Sequence, residues 1–292
     1  MSSPVTTSPD MMASRSSAGA EPVTEPRADH TIEQDWEKYT LAEHARWRML
    51  FSRQAALLKQ RATPEFLAGL DKLGVAADGI PDFRRLNEVL TKATDWRIVA
   101  VPGLVPDEVF FEHLANRRFV ATCFIRTAEQ MDYIAEPDVF HDIYGHVPML
   151  VHPVFADYMQ AYGRGGLKAL GLGSLTQLAR LYWYTVEFGL IRTAAGLRIY
   201  GSGIVSSKTE SIYCLEDSRP NRIAFDLRRI MRTEYQIDRF QDCYFVIDNF
   251  EQLFEATRPD FTPIYRELAQ LPDIASNQVL EGDRLVAANP PR

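Results

Sequence analysis

Apolar residues recur at helical spacing through most of the chain. In residues 31–61, Trp36, Tyr39, Leu41, Ala45, Trp47, Leu50, Ala55 and Leu58 follow that period. A second helix is predicted over 64–74, where Pro64 suits a first turn and Gly74 a stop. A third is predicted over 80–94. Alternating β-branched residues in 96–104, ended by Pro102-Gly103, predict a short strand and turn. Residues 106–116 read as helix and 117–126 as strand. Residues 139–163 read as helix interrupted at Gly145 and Pro148, and Ser174–Thr193 as one strong helix opened by the capping-box pattern Ser174-x-x-Gln177. Residues 197–207 look strand-like with glycine punctuation, 225–236 helical, and 241–260 a strand followed by a helix.

Helix outweighs strand, and neither a linker nor an internal repeat is visible between 31 and 282. The expected fold is mainly α with a few short β-ribbons, in a single compact domain over 31–282. Residues 1–30 are rich in Ser, Thr and Pro and hold no aromatic residue, so they cannot bury enough surface to offset their ordering entropy. They are expected to form a disordered tail, and 283–292 a second, short one.

At 292 residues the chain can enclose a sizeable core, and 46% hydrophobic with 24% charged residues is ordinary for a globular protein. A net charge of −7 argues against nucleic-acid binding, which needs basic surface to displace phosphate counterions. No apolar run of about 18 residues exists to span a membrane, and no secretory leader is evident. Cys123, Cys214 and Cys243 are scattered and odd in number, without a CxxC pair, which fits a reducing cytoplasm.

The sharpest chemical feature is His141-Asp142-Ile143-Tyr144-Gly145-His146-Val147-Pro148. On a regular α-helix, residues five apart point roughly 140° away from each other. The two imidazoles converge only if the helix ends or distorts between them, and Gly145 and Pro148 permit that. A zincin HExxH has four-residue spacing and a glutamate after its first histidine, so that motif is disfavoured. The second feature is Glu187, the one carboxylate in an otherwise apolar helix. An ionised carboxylate there needs an ion-pair partner, a proton or a metal. Arg180 and Arg192 are the candidate ion-pair partners. Together His141, His146 and Glu187 make a two-histidine, one-carboxylate set of the kind that non-haem iron(II) oxygenases use, although zinc enzymes use the same donors.

His44, His113 and His152 read as packing or surface histidines, and Tyr182 and Tyr184 as core. No phosphate-binding GxGxxG or P-loop pattern follows a strand, and Ser206 lacks the GxSxG setting of a serine hydrolase.

The segment EPDVFHDIYGHVP, residues 136–148, resembles the iron-binding signature of the pterin-dependent aromatic amino acid hydroxylases. LARLYWYTVEFGL at 178–190 is similar to the family segment that supplies the glutamate ligand, and YGSGIVSS at 200–207 to its substrate segment. RATPEFLAGL, GIPDF, VPGL and FIR extend the likeness from about 35 to 255. Without a regulatory domain or a C-terminal heptad helix, the chain resembles the small bacterial phenylalanine 4-hydroxylases, and a monomer is expected.

The resemblance implies the family's catalytic-domain fold, a mononuclear iron(II), dioxygen, and a tetrahydropterin cosubstrate (tetrahydrobiopterin or a bacterial analogue). Iron and pterin together split dioxygen, and L-phenylalanine becomes L-tyrosine. His141, His146 and Glu187 match the iron ligands. Phe110 matches an aromatic that stacks on the pterin, Gly103, Leu104 and Val105 the loop whose backbone contacts it, and Asp142 an acidic contact that is glutamate in eukaryotic members. Arg126 matches the arginine that holds the amino acid carboxylate, and Asp138 the acid that orients it. Pro137, Trp183 and Ser206 match the wall of the substrate pocket, and Ile134 replaces a threonine of eukaryotic members. A large Trp183, with apolar Ile237 where the tyrosine branch carries aspartate, favours phenylalanine. The alternatives are a hydroxylase of tryptophan or tyrosine, a zinc hydrolase with the same three ligands, and a non-catalytic protein that binds metal or amino acid.

Overall fold

Helix starts in this chain are set by local capping. In the computed structural model, which describes residues 25–290, Thr40 and Glu43 close a reciprocal capping box and the helix Leu41–Leu58 begins there. Pro64 opens Pro64–Leu73, which stops at Gly74 with φ of 65°, a left-handed turn that glycine adopts without strain. Asp82 accepts the Arg84 N–H and starts Phe83–Thr94. These are the three helices the apolar period predicts.

Two strands follow, β1 (Arg97–Val101) and β2 (Arg118–Thr122), paired in parallel with Arg97 opposite Arg118. Parallel pairing needs a crossover, which the helix Asp107–Ala115 provides. The long helix Pro153–Leu172 lies across that crossover helix. Gly163 and Gly166 make the contact possible, since a Cβ would fall 2.4 Å from Ala115 N at the first and 2.0 Å from the Phe111 ring at the second.

A second sheet has the order β4–β3–β6–β5, made of β3 (Leu190–Thr193), β4 (Gly196–Ile199), β5 (Asn221–Ala224) and β6 (Cys243–Ile247). β3 and β4 form an antiparallel hairpin, while β6 runs parallel to both β3 and β5. Between the sheets and the helices, Trp47, Phe66, Trp96, Phe140 and Tyr144 are fully enclosed. Each contributes about 2 kcal/mol or more relative to exposure. The fold is mainly α with small sheets, in one domain, as the pattern predicts.

The expected single helix Ser174–Thr193 is in fact three elements: an α-helix Leu175–Tyr182, a π-helical turn Trp183–Glu187, and β3. Gly189 marks the break, where a Cβ would lie 2.1 Å from the Tyr200 ring and 2.2 Å from Thr185 O, and the residues after it pair with β4. The predicted capping box is absent: Ser174 makes no cap bond, and its hydroxyl donates to Leu172 O at 3.4 Å. The strand-like reading of 197–207 holds only to Ile199, after which Ser202–Val205 is a short helix. Helices Glu210–Glu216 and Thr262–Leu268 are additions to the expected set.

Residues 1–24 of the expected N-terminal tail lie outside the described residues. From Arg27 on, the chain is bonded into the domain: Arg27 N donates to Thr31 O, and His113 Nε2 pairs with Asp29 O at 2.8 Å. The expected C-terminal tail packs on the second sheet as far as described. Val286 N donates to Arg222 O at 2.7 Å, Asn289 pairs with Leu197 N and O, each at 2.9 Å, and Asp283 forms a buried ion pair with Arg229. Among the described residues, no helix is long and apolar enough to cross a membrane.

Candidate metal centre

His141 and His146 converge because the segment joining them is not α-helical. His141–His146 is a π-helical turn, whose i to i+5 bonding brings residues five apart onto one face. A 3-10 turn, Val147–Val151, follows with Pro148 near its start. Glu187 ends the second π-helical turn. The two distortions aim three side chains at one point. His141 Nε2 lies 3.1 Å from His146 Nε2, and Glu187 places Oε1 3.1 Å from His146 Nε2 and Oε2 3.7 Å from His141 Nε2. One donor atom from each residue falls within 4.8 Å of the others, the only such group of His, Cys, Asp and Glu among the described residues.

Second contacts fix how these donors point. Ser206 Oγ donates to Ser202 O at 2.8 Å, so it can only accept from His141 Nδ1 at 3.0 Å. The proton is thereby held on Nδ1, and the bare Nε2 lone pair faces the cluster. Ser202 Oγ donates to Glu187 Oε2 at 2.9 Å. The His146 ring lies against Phe119, with centroids 5.0 Å apart. Glycines let the 201–206 segment press onto the glutamate: a Cβ at Gly201 would lie 2.4 Å from Glu187 O, and one at Gly203 3.1 Å from Glu187 Oε2.

Burial keeps His141 neutral by lowering its pKa to about 4. Burial pushes Glu187 upward, but the His146 and His141 imidazoles outweigh it and hold the carboxyl at about 2. The cluster thus offers two imidazoles, that of His141 neutral at neutral pH, and one carboxylate, a donor set that fits a divalent transition metal. The candidate ion-pair partners of Glu187 are engaged elsewhere, Arg180 with Asp273 and Arg192 with Asp248.

A second constellation adjoins the first. Asp138, fully buried, accepts Arg126 Nε and Nη2, each at 2.8 Å, and the backbone N–H groups of Arg126 and His141 at 2.9 and 3.0 Å. Burial alone would raise the Asp138 pKa, but the Arg126 hydrogen bonds lower it below the ordinary value. One carboxylate thus links the arginine to the start of the π-helical turn.

The sequence profile of the biopterin-dependent aromatic amino acid hydroxylases matches residues 14–274. The chain belongs to that family. A phenylalanine-4-hydroxylase of Ralstonia nicotianae is 65% identical over 90% of this chain and 84% of its own length. Among solved structures, the Chromobacterium violaceum phenylalanine hydroxylase with bound oxidised iron superposes with a TM-score of 0.88 at 58% identity, over 90% of this chain and 96% of that one. Its iron- and phenylalanine-bound form gives 0.85 at 57% identity, over 89% and 94%.

The other residues singled out in this hydroxylase fall in different settings. Phe110 is buried, edge-on to Phe111 and Tyr182. Gly103 has open space where a Cβ would sit, Leu104 is exposed and Val105 buried, all on the turn after β1. Asp142 is buried, with Oδ2 accepting Thr122 N at 2.7 Å and Thr122 Oγ1 at 2.9 Å, and burial raises its pKa to about 7. Pro137 and Trp183 are half-buried, and Trp183 stacks on Tyr235. Ser206, expected in the substrate wall, has its hydroxyl turned to His141. Ile237 is 68% exposed on the segment after Tyr235, so the structure does not place it in a closed wall. The remaining histidines have structural partners: His44 Nδ1 accepts Ile80 N, and His152 caps Pro153–Leu172. Sequence reasoning missed Ser202 and Phe119 as neighbours of the cluster. The two glycines flanking Ser202 were the available signal.

Proposed function

We propose that this chain hydroxylates L-phenylalanine to L-tyrosine, with dioxygen and a tetrahydropterin as cosubstrates, at one iron(II) held by His141, His146 and Glu187. The observation that carries the reading is the convergence of those three side chains in a chain of this family. Iron(II), when bound there, supplies the dioxygen activation that no side chain can perform, with the pterin as electron source.

The protein's own groups bind and orient. Ser206 keeps the His141 Nε2 lone pair on the cluster, and the anionic Glu187 offsets the charge of a divalent ion. Arg126 gives Nε and one edge of Nη2 to Asp138, which leaves its remaining N–H groups for the α-carboxylate of an amino acid. Pro137 and Trp183 would bound the ring, and Asp138 holds the arginine flat. Phe110 and residues 103–105 would line the pterin side, and Asp142, whose Oδ2 is taken by Thr122, would have Oδ1 left to accept a pterin N–H. Preference for phenylalanine over the other aromatic amino acids rests on Trp183 and on the names of the relatives, not on the exposed Ile237. We place the enzyme in the cytoplasm as a monomer, with its three free cysteines reduced.

Oxygen uptake with iron(II), tetrahydropterin and each aromatic amino acid in turn, with products separated by chromatography, tests the reading. Tyrosine formed from phenylalanine, dependent on both pterin and iron, is the expected result. Turnover with zinc and no pterin would replace it with a hydrolase. Glu187→Ala should cut hydroxylation at least about a thousandfold and leave the circular dichroism spectrum unchanged. Wild-type turnover in that variant would remove Glu187 from the ligand set.

A further inference from the structure

The Trp183 indole is held on three sides. It stacks on Tyr235, with centroids 4.4 Å apart and planes at 17°, and it leans on Phe188 at 4.7 Å. Its N–H donates to Gln241 Oε1 at 2.8 Å. Gln241 is only 3% exposed, and its amide can face only one way. Nε2 points at two carbonyls, Gln236 O at 2.8 Å and Arg239 O at 3.3 Å, and the flipped amide would set oxygen against oxygen there. Oε1 is therefore committed to the indole. The Gln241 backbone is anchored in turn, since its N–H donates at 3.4 Å to Glu210 Oε1, an oxygen that also accepts the Tyr244 hydroxyl. The segment 236–240, which carries exposed Ile237 and Phe240, is thus tied to Trp183 through one buried side chain.

We propose that Gln241 is a positioning residue for the hydroxylation: it locks the Trp183 indole in one orientation and couples it to the 236–240 segment. A buried amide that touches no substrate then sets the wall presented to the aromatic ring. This rests on the reading of Trp183 as a pocket wall.

A double-mutant cycle tests it. Gln241→Leu and Trp183→Phe are made singly and together, and KM and kcat are measured for phenylalanine and for the pterin. Gln241→Leu leaves the indole N–H without its acceptor and should raise the phenylalanine KM about five- to tenfold. The pterin KM should stay within about twofold. In the Trp183→Phe background, Gln241→Leu should add nothing, because phenylalanine has no N–H to hold. Gln241→Met carries the same expectations if the leucine variant does not fold. Effects that multiply in the double variant overturn the proposal, as do equal losses for both substrates. An unchanged phenylalanine KM in Gln241→Leu, with Trp183→Phe impaired, overturns the proposal alone. If Trp183→Phe itself leaves the phenylalanine KM unchanged, the wall reading fails and the proposal falls with it.

Discussion

A single guanidinium divides its donors at Arg126. Its Nε and Nη2 are fixed by Asp138, so the side chain is flat and oriented before any ligand arrives, and the remaining N–H groups match a carboxylate. The same pairing makes the residue structural, because Asp138 is fully buried and accepts four hydrogen bonds. Arg126→Ala should therefore show two losses. The phenylalanine KM should rise about a hundredfold while the pterin KM moves little. The fold should weaken by about 3 kcal/mol, because a buried carboxylate loses its counter-charge. Steady-state kinetics and urea unfolding measure the two, and equal changes in both KM values would remove Arg126 from the amino acid site. Ser206 works on the same scale: its hydroxyl has a single proton, already given to Ser202 O, and that decides which nitrogen of His141 is bare.

Two π-helical turns, His141–His146 and Trp183–Glu187, carry the three candidate metal donors. The first was legible in the sequence, because histidines five apart converge only on a distorted helix and glycine and proline stood between and after them. The second was not legible, because the largely apolar stretch from Leu175 to Ile191 looks the same whether it continues as helix or turns into a strand. What decides it is tertiary: the close approach at Gly189 and the pairing of β3 with β4. The helices Ser202–Val205 and Glu210–Glu216 escaped because four and seven residues are too few to show a period. Those short elements nonetheless shape the site. Gly201 presses on the backbone behind Glu187, with a Cβ position 2.4 Å from Glu187 O and 2.5 Å from Gly189 N. Neither atom belongs to a flexible side chain, so Gly201→Ala must displace the segment. It should cost about 2 kcal/mol of stability and weaken iron(II) binding about tenfold or more. Urea midpoints and metal titration of the apoprotein check this, and wild-type affinity would show that the glutamate tolerates the shift.

Closure of the whole molecule depends on long-range polar links that no local pattern announces. Asp283 meets Arg229 in a buried pair, which is why the last described residues belong to the domain and not to a tail. Glu210 is likewise buried, accepting the Tyr244 hydroxyl and the Gln241 N–H. Among the described residues it has no cationic partner, and burial raises its pKa from an ordinary 4.5 to about 7 despite those hydrogen bonds. Below pH 4.5 the carboxyl is protonated in both the folded and the unfolded chain, so it makes stability no more or less dependent on pH. Between 4.5 and about 7 the unfolded chain has released the proton that the folded protein still holds, so stability falls as pH rises. Above about 7 both states are ionised and the loss is complete, at about 3 kcal/mol for a shift of this size. Glu210→Gln keeps an oxygen for both donors and removes the titration. The unfolding free energy of the native chain relative to that variant should therefore drop by about 3 kcal/mol between pH 4.5 and 8, as read by urea denaturation of both proteins in matched buffers. A difference that stays level across that range would mean that Glu210 is ionised throughout, with a counter-charge close enough to hold it so.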